Sequence, residues 1–133
     1  LRRKIESLAR IERLRRRMHE LAKWRLQLVA QERERLTTAH AEMIEALGEG
    51  LMAFGPVSVA GTRRVRGIEQ DLARADIVEK ALEKHTLDEG RLAKLADQRL
   101  EAAREVWQGE LDRRGLEELI EASLRPPPGP RKP

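Results

Sequence analysis

Along the first third of the chain, apolar residues return every three or four positions. They are Ile11, Leu14, Met18, Leu21 and Leu28, then Leu36, Ala39, Met43 and Leu47. That spacing lines them along one face of an α-helix. Arg25 and Glu32 interrupt the stripe, while Ala22, Leu26 and Val29 form a second one beside it. The buried face is therefore expected to broaden or rotate there, and a perfect two-stranded zipper is not expected. No proline breaks the stretch and strong helix formers dominate it. A helix over residues 1–47 follows, roughly 70 Å long at about 1.5 Å per residue.

The pattern stops at LMAFGPVSVAGTRR, Leu51–Arg64, which holds the only phenylalanine and the only proline before the last nine residues. Gly48, Gly50, Gly55 and Gly61 admit backbone conformations that other residues resist, and Pro56 cannot continue a helix without losing a hydrogen bond. A turn over 48–62 is predicted, with Leu51, Met52, Phe54 and Val57 closing the end of a hairpin. Thr62 is a candidate N-cap for the helix that follows.

A second helix is predicted over 63–123, its stripe running through Val65, Ile68, Leu72, Ala75, Val78, Leu82, Leu92, Leu95, Leu100, Ala103 and Trp107. Gly67, Gly90 and Gly109 each weaken it by roughly 1 kcal/mol relative to alanine. The polar run EKHTLDEG, Glu83–Gly90, marks an expected soft point or slight bend. With the turn centred near residue 55, antiparallel partners should have numbers that add to about 110. Trp107 then faces the first turn near Ile5, and Trp24 faces the neighbourhood of Thr86. Beyond Trp107, helical spacing persists through Leu111, Leu116, Leu119 and Ile120. The closing RPPPGPRKP, residues 125–133, reads as a basic, proline-rich, disordered tail. The expected fold is all-α: a long antiparallel two-helix coiled-coil hairpin over 1–124 with that tail appended.

Composition supports this picture. In 133 residues, 38% are charged and 2% aromatic, which leaves little for a globular core and matches long helices and coiled coils. Sheet is improbable on that composition. The absence of cysteine excludes disulfides, thiolate metal sites and cysteine nucleophiles, and is compatible with the cytosol. No run approaches the length of a membrane span, and the first residues lack a signal-peptide hydrophobic region. The chain starts at Leu1 rather than methionine, which leaves room for residues upstream.

Charge is unevenly spread. Residues 1–35 carry 12 Lys/Arg against 5 Asp/Glu, and residues 36–133 carry 15 against 18. A basic first arm steers toward acidic protein surfaces, nucleic acid or anionic lipid without selecting among them. Its densest part is RIERLRRRMHELAK, Arg10–Lys23. There Arg13, Arg16 and Arg17 can share a surface, and Glu20 and Lys23 can pair along the helix. A charge run more often serves as a solvated flank than as a binding patch, and both readings stand here. No base-reading asparagine of a basic zipper, zinc finger or aromatic RNA platform accompanies it, so nucleic-acid binding is not expected.

Catalytic and metal chemistry find no pattern. Gly55 to Thr62 resembles a phosphate loop only superficially: five residues, not four, separate Gly55 from Gly61, and the lysine is missing. His19, His40 and His85 are scattered, and none has a glutamate three positions earlier, so they read as surface or seam residues rather than ligands. Ser7, Ser58 and Ser123 lack a recognisable His and acid arrangement. A two-helix chain also offers poor walls for a pocket. No cofactor, metal or enzymatic activity is expected. Trp24 and Trp107 either fill seam space or serve as binding anchors, Trp107 being the more interesting because QGELDRRGLEELIE follows it.

The arginine-rich start LARIERLRRRMHELAKWRLQLVAQERERL, the second arm RRVRGIEQDLARADIVEKALEKHTLDEGRLAKL and the close LEAAREVWQGELDRRGLEELIE together resemble the FliJ family of flagellar export proteins. The resemblance covers most of the chain through coiled-coil patterns. It implies an antiparallel coiled coil that acts as a central stalk of type III secretion. Its partners would be the export ATPase ring, export gate proteins and export chaperones, in the cytoplasm and peripheral to the inner membrane at the flagellar base. It further implies that the joined N- and C-terminal end meets the ATPase, making Arg13, Arg16, Arg17, Arg113 and Arg114 contact residues, with Trp107 nearby. Two alternatives remain: a generic coiled-coil scaffold and a basic helical nucleic-acid binder.

Overall fold

In the computed structural model, residues 1–54, 59–126 and 129 are described, with side chains described outside 51–54. Two helices pack against each other: α1, Arg2–Phe54, and α2, Val59–Leu124. Both exceed their expected limits around the turn. α1 continues through Gly48 and Gly50, and Thr62 lies inside α2 rather than capping its start. Glycine lowers helix propensity without forbidding the helix, and the seam residues before Gly48 hold α1 against α2 up to that point. The expected end closure by Leu51, Met52, Phe54 and Val57 lies outside the described side chains. Most of the 125–133 tail lies outside the described residues too.

The chain divides into two compact units, Leu1–Leu14 with Lys94–Pro133, and Arg15–Ala93. In the second unit the helices run antiparallel. His19 approaches Gly90, Arg33 reaches Asp76 and Glu79, and His40 meets Glu69. The numbers of these pairs add to between 109 and 112, the register expected from the turn position. In the first unit, Leu1, Lys4 and Leu8 of α1 line one groove with Arg99, Ala102 and Val106 of α2.

The seam corrects half of the expected stripe. In α1 the least exposed positions of the second unit include Arg15, His19, Ala22, Leu26, Val29, Leu36, His40, Met43 and Leu47. In the first unit they include Ile5, Leu8 and Glu12. These positions step alternately by three and four, the spacing that keeps a seam on one partner. Ile11, Leu14, Met18, Leu21 and Leu28 are exposed instead. On α2, Val78, Leu92 and Leu95 are likewise exposed, and Glu79, Glu89, Ala93 and Ala96 sit inward. Among the described residues the buried apolar set is small in volume: Ala22, Leu36, Val65, Ala96, Leu100 and Ala103. The expected soft point is unbroken helix. Within it the Thr86 hydroxyl donates to the Leu82 carbonyl at 2.7 Å, which satisfies a part-buried hydroxyl inside its own helix.

Candidate partner-binding surfaces

A residue one position before a seam residue lies about 100° around the helix from it, beside the seam but turned away from it. In the second unit this places Met18, Leu21 and Leu28 on an outward stripe of α1, next to the inward His19, Ala22 and Val29. Trp24 stands at the edge of that stripe with 56% of its surface exposed. Arg25 lies within the stripe and Arg17 along its margin, and both are exposed. The result is a face that combines large apolar side chains with cations. In the sequence these apolar residues read as seam, because their spacing is as regular as the seam's. The clean phase of Leu36, Met43 and Leu47, stepped backward by three and four, leads to Val29, Leu26 and Ala22 and was the available signal.

The residues singled out from sequence are spread over both units. Arg13, Trp107, Arg113 and Arg114 belong to the first unit, and Arg16 and Arg17 to the second. Arg13, Arg16 and Arg17 are exposed on α1. Nearby, the Lys23 ammonium donates to Glu20 at 3.1 Å, the local pairing expected of this stretch. Trp107 is half-buried and lies four residues after the buried Ala103 in the first unit. Arg113 and Arg114 are exposed on α2, next to Glu110 and Glu117.

In the second unit, polar contacts join the two helices. The Arg33 guanidinium donates to Glu79 at 3.0 Å and lies 3.5 Å from Asp76, which also pairs with Lys80 at 3.0 Å. Lys80's hydrogen bond first, then its charge and that of Arg33, hold the Asp76 carboxyl below the ordinary carboxylate value. On α1, Arg35 donates from Nε to Glu32 at 2.9 Å, and this hydrogen bond lowers the Glu32 carboxyl in the same way. His40 Nε2 lies 3.1 Å from Glu69. Glu89 differs from all of these: it is only 7% exposed and its Oε2 has no hydrogen-bond partner.

Among the described residues no group of three or more His, Asp or Glu side chains converges as metal ligands. No helix among them is long and apolar enough to cross a membrane. What these surfaces offer chemically is recognition: guanidinium groups for carboxylates, and apolar side chains for a partner helix. No protein-family model, curated protein or solved structure matches the chain.

Proposed function

We propose that this chain is a non-enzymatic stalk or adaptor of a flagellar-type protein export apparatus, built as an antiparallel two-helix coiled coil. It binds and stimulates the export ATPase ring, contacts the export gate and assists the traffic of chaperones and substrates. The partner supplies the nucleotide site, and peripheral association with the inner membrane comes through partners. The observation that carries this reading is the exposure of Arg13, Arg16 and Arg17 on a long helix whose inward positions are already engaged by α2. Guanidinium groups presented from a stiff helix suit an acidic protein surface without a small-molecule pocket.

The test is size-exclusion chromatography and pulldown of the purified chain with the export ATPase of the same organism, with and without nucleotide and across a salt series. A stoichiometric complex with faster ATP turnover supports the stalk. Absence of a complex in every condition rejects it. The exposed apolar residues of α1 favour a second reading, a coiled-coil scaffold, in which the chain self-associates and ignores the ATPase.

A further inference from the structure

The apolar seam of the second unit does not by itself fix how the two helices align. Its positions repeat every seven residues, so sliding α2 by one heptad, about 10 Å along α1, gives the large apolar residues new apolar neighbours. Slid one way, Val29 and Leu36 come level with Leu72 and Val65. Slid the other way, Met43 and Leu47 come level with Leu72 and Ile68. The connecting sequence offers no firm stop, because residues 48–61 contain four glycines and Pro56, turn formers at several points.

The charged positions do discriminate. Residues 15–50 hold seven Lys/Arg and six Asp/Glu, and residues 59–93 hold seven of each, so neither helix is biased as a whole. At the seam the signs separate. From α1, Arg15, His19, Arg33 and His40 are turned toward α2, while all six carboxylates of 15–50 are exposed. From α2, Asp76, Glu79 and Glu89 are turned toward α1, while all seven Lys/Arg of 59–93 are exposed. Glu79 is held by Arg33 at 3.0 Å, whereas Glu89 is buried with its Oε2 unpaired.

We propose that Glu79 and Glu89 set the register of this hairpin by excluding its two neighbouring registers. Sliding α2 so that Glu89 takes the present place of Leu82 sets that carboxylate between Leu26 and Val29. Sliding it the other way moves Glu79 to the present place of Thr86, away from Arg33 and between Ala22 and Leu26. Each slip buries an unpaired carboxylate against apolar side chains, a larger cost than exposed ion pairs can offset. In the present register Glu79 keeps its guanidinium, and Glu89 stands level with His19 and Ala22, next to the Gly90 on which the imidazole rests. Arg33 does not suffice alone, because Glu69 and Glu83 lie one heptad either side of Asp76 and would receive it after a slip. The unpaired oxygen of Glu89 thus lowers stability and raises the accuracy of pairing. This holds for the isolated chain, whichever partner it serves.

Because the chain has no cysteine, introduced pairs report register without background. Arg25 and His85 lie level beside the seam, Val78 and Leu92 lie one heptad either side of His85, and all four are exposed. Full chains carrying Arg25→Cys with His85→Cys, with Val78→Cys or with Leu92→Cys are equilibrated in a glutathione redox buffer, and the intramolecular disulfide is quantified by mass spectrometry. The level pair should form about a hundredfold more readily than either slipped pair. Adding Glu79→Leu and Glu89→Leu should bring a slipped pair within about tenfold of the level one, with a urea midpoint no lower than the parent's. A purely structural role for the two carboxylates would move the midpoint and leave the disulfide ratio where it was, and that result overturns the proposal. So does a parent chain that traps a slipped pair as readily as the level one.

Discussion

The His19 imidazole lies against Gly90, so close that a β-carbon at residue 90 would come within 3.0 Å of Nε2 and 3.3 Å of Cε1. The glycine is the surface on which the ring rests. Gly67 and Gly109 have open space where a β-carbon would go, although they sit in the same helix. Alanine at either of these should stabilise the chain by about 0.5–1 kcal/mol, since only the backbone entropy of the unfolded state changes. Gly90→Ala should yield less than either, and His19→Ala combined with Gly90→Ala should recover the difference. Urea denaturation of the four variants checks this. Equal gains at all three glycines would show that the ring moves aside freely.

Glu89 should be a liability for stability. A seam position that holds a buried carboxylate with one oxygen unpaired carries a desolvation cost that an apolar side chain does not. Glu89→Leu is expected to raise stability by about 1–2 kcal/mol. Chemical denaturation monitored by circular dichroism measures it, and a loss of stability would mean that the carboxylate has a partner in solution.

Acid should loosen the pair of helices in part through Asp76. Its carboxyl is lowered in the folded chain, so the folded state binds fewer protons than the unfolded one near the ordinary value of 3.8. The associated stabilisation is complete above that value and disappears as pH falls through the lower folded value. Thermal melts from pH 7 down to pH 2 should show a smaller acid-side fall in Tm for Asp76→Asn than for the parent chain. Identical profiles would remove Asp76 from the explanation.

Reversing Arg13, Arg16 and Arg17 to glutamate should leave helicity largely intact, because all three side chains are exposed. ATPase association should weaken in the same variant. Circular dichroism and size-exclusion read the two effects separately. Collapse of the helical signal would make the cluster structural rather than a binding surface.

How far the sequence reveals the fold depends on which stretch is read. Leu36, Met43 and Leu47 identify the seam of α1 because they keep one helical phase, and Ile44 is the single large apolar residue among them that falls outside it. Around residue 20, two stripes run one residue out of phase, and the more hydrophobic one faces outward. Local hydrophobicity cannot decide between them. The choice is made by the phase that the rest of the helix imposes on α2. The register near 110 was legible because it follows from where the turn falls. Helix continuation through Gly48 and Gly50 was not, since propensity is a weak guide to where a helix ends. Of the candidate site residues, the arginines stand exposed and Trp107 is half-buried, which leaves its packing and binding readings both open.

The small, partly polar seam has a consequence for how this chain can change over time. Ala22, Ala96 and Ala103 help hold the helices to each other, while Met18, Leu21 and Leu28 face outward. Cohesion and outward surface are therefore assigned to different residues, often neighbours within a single turn of helix. Substitutions on the outer stripe can change the face the chain shows while its own pairing residues stay as they are.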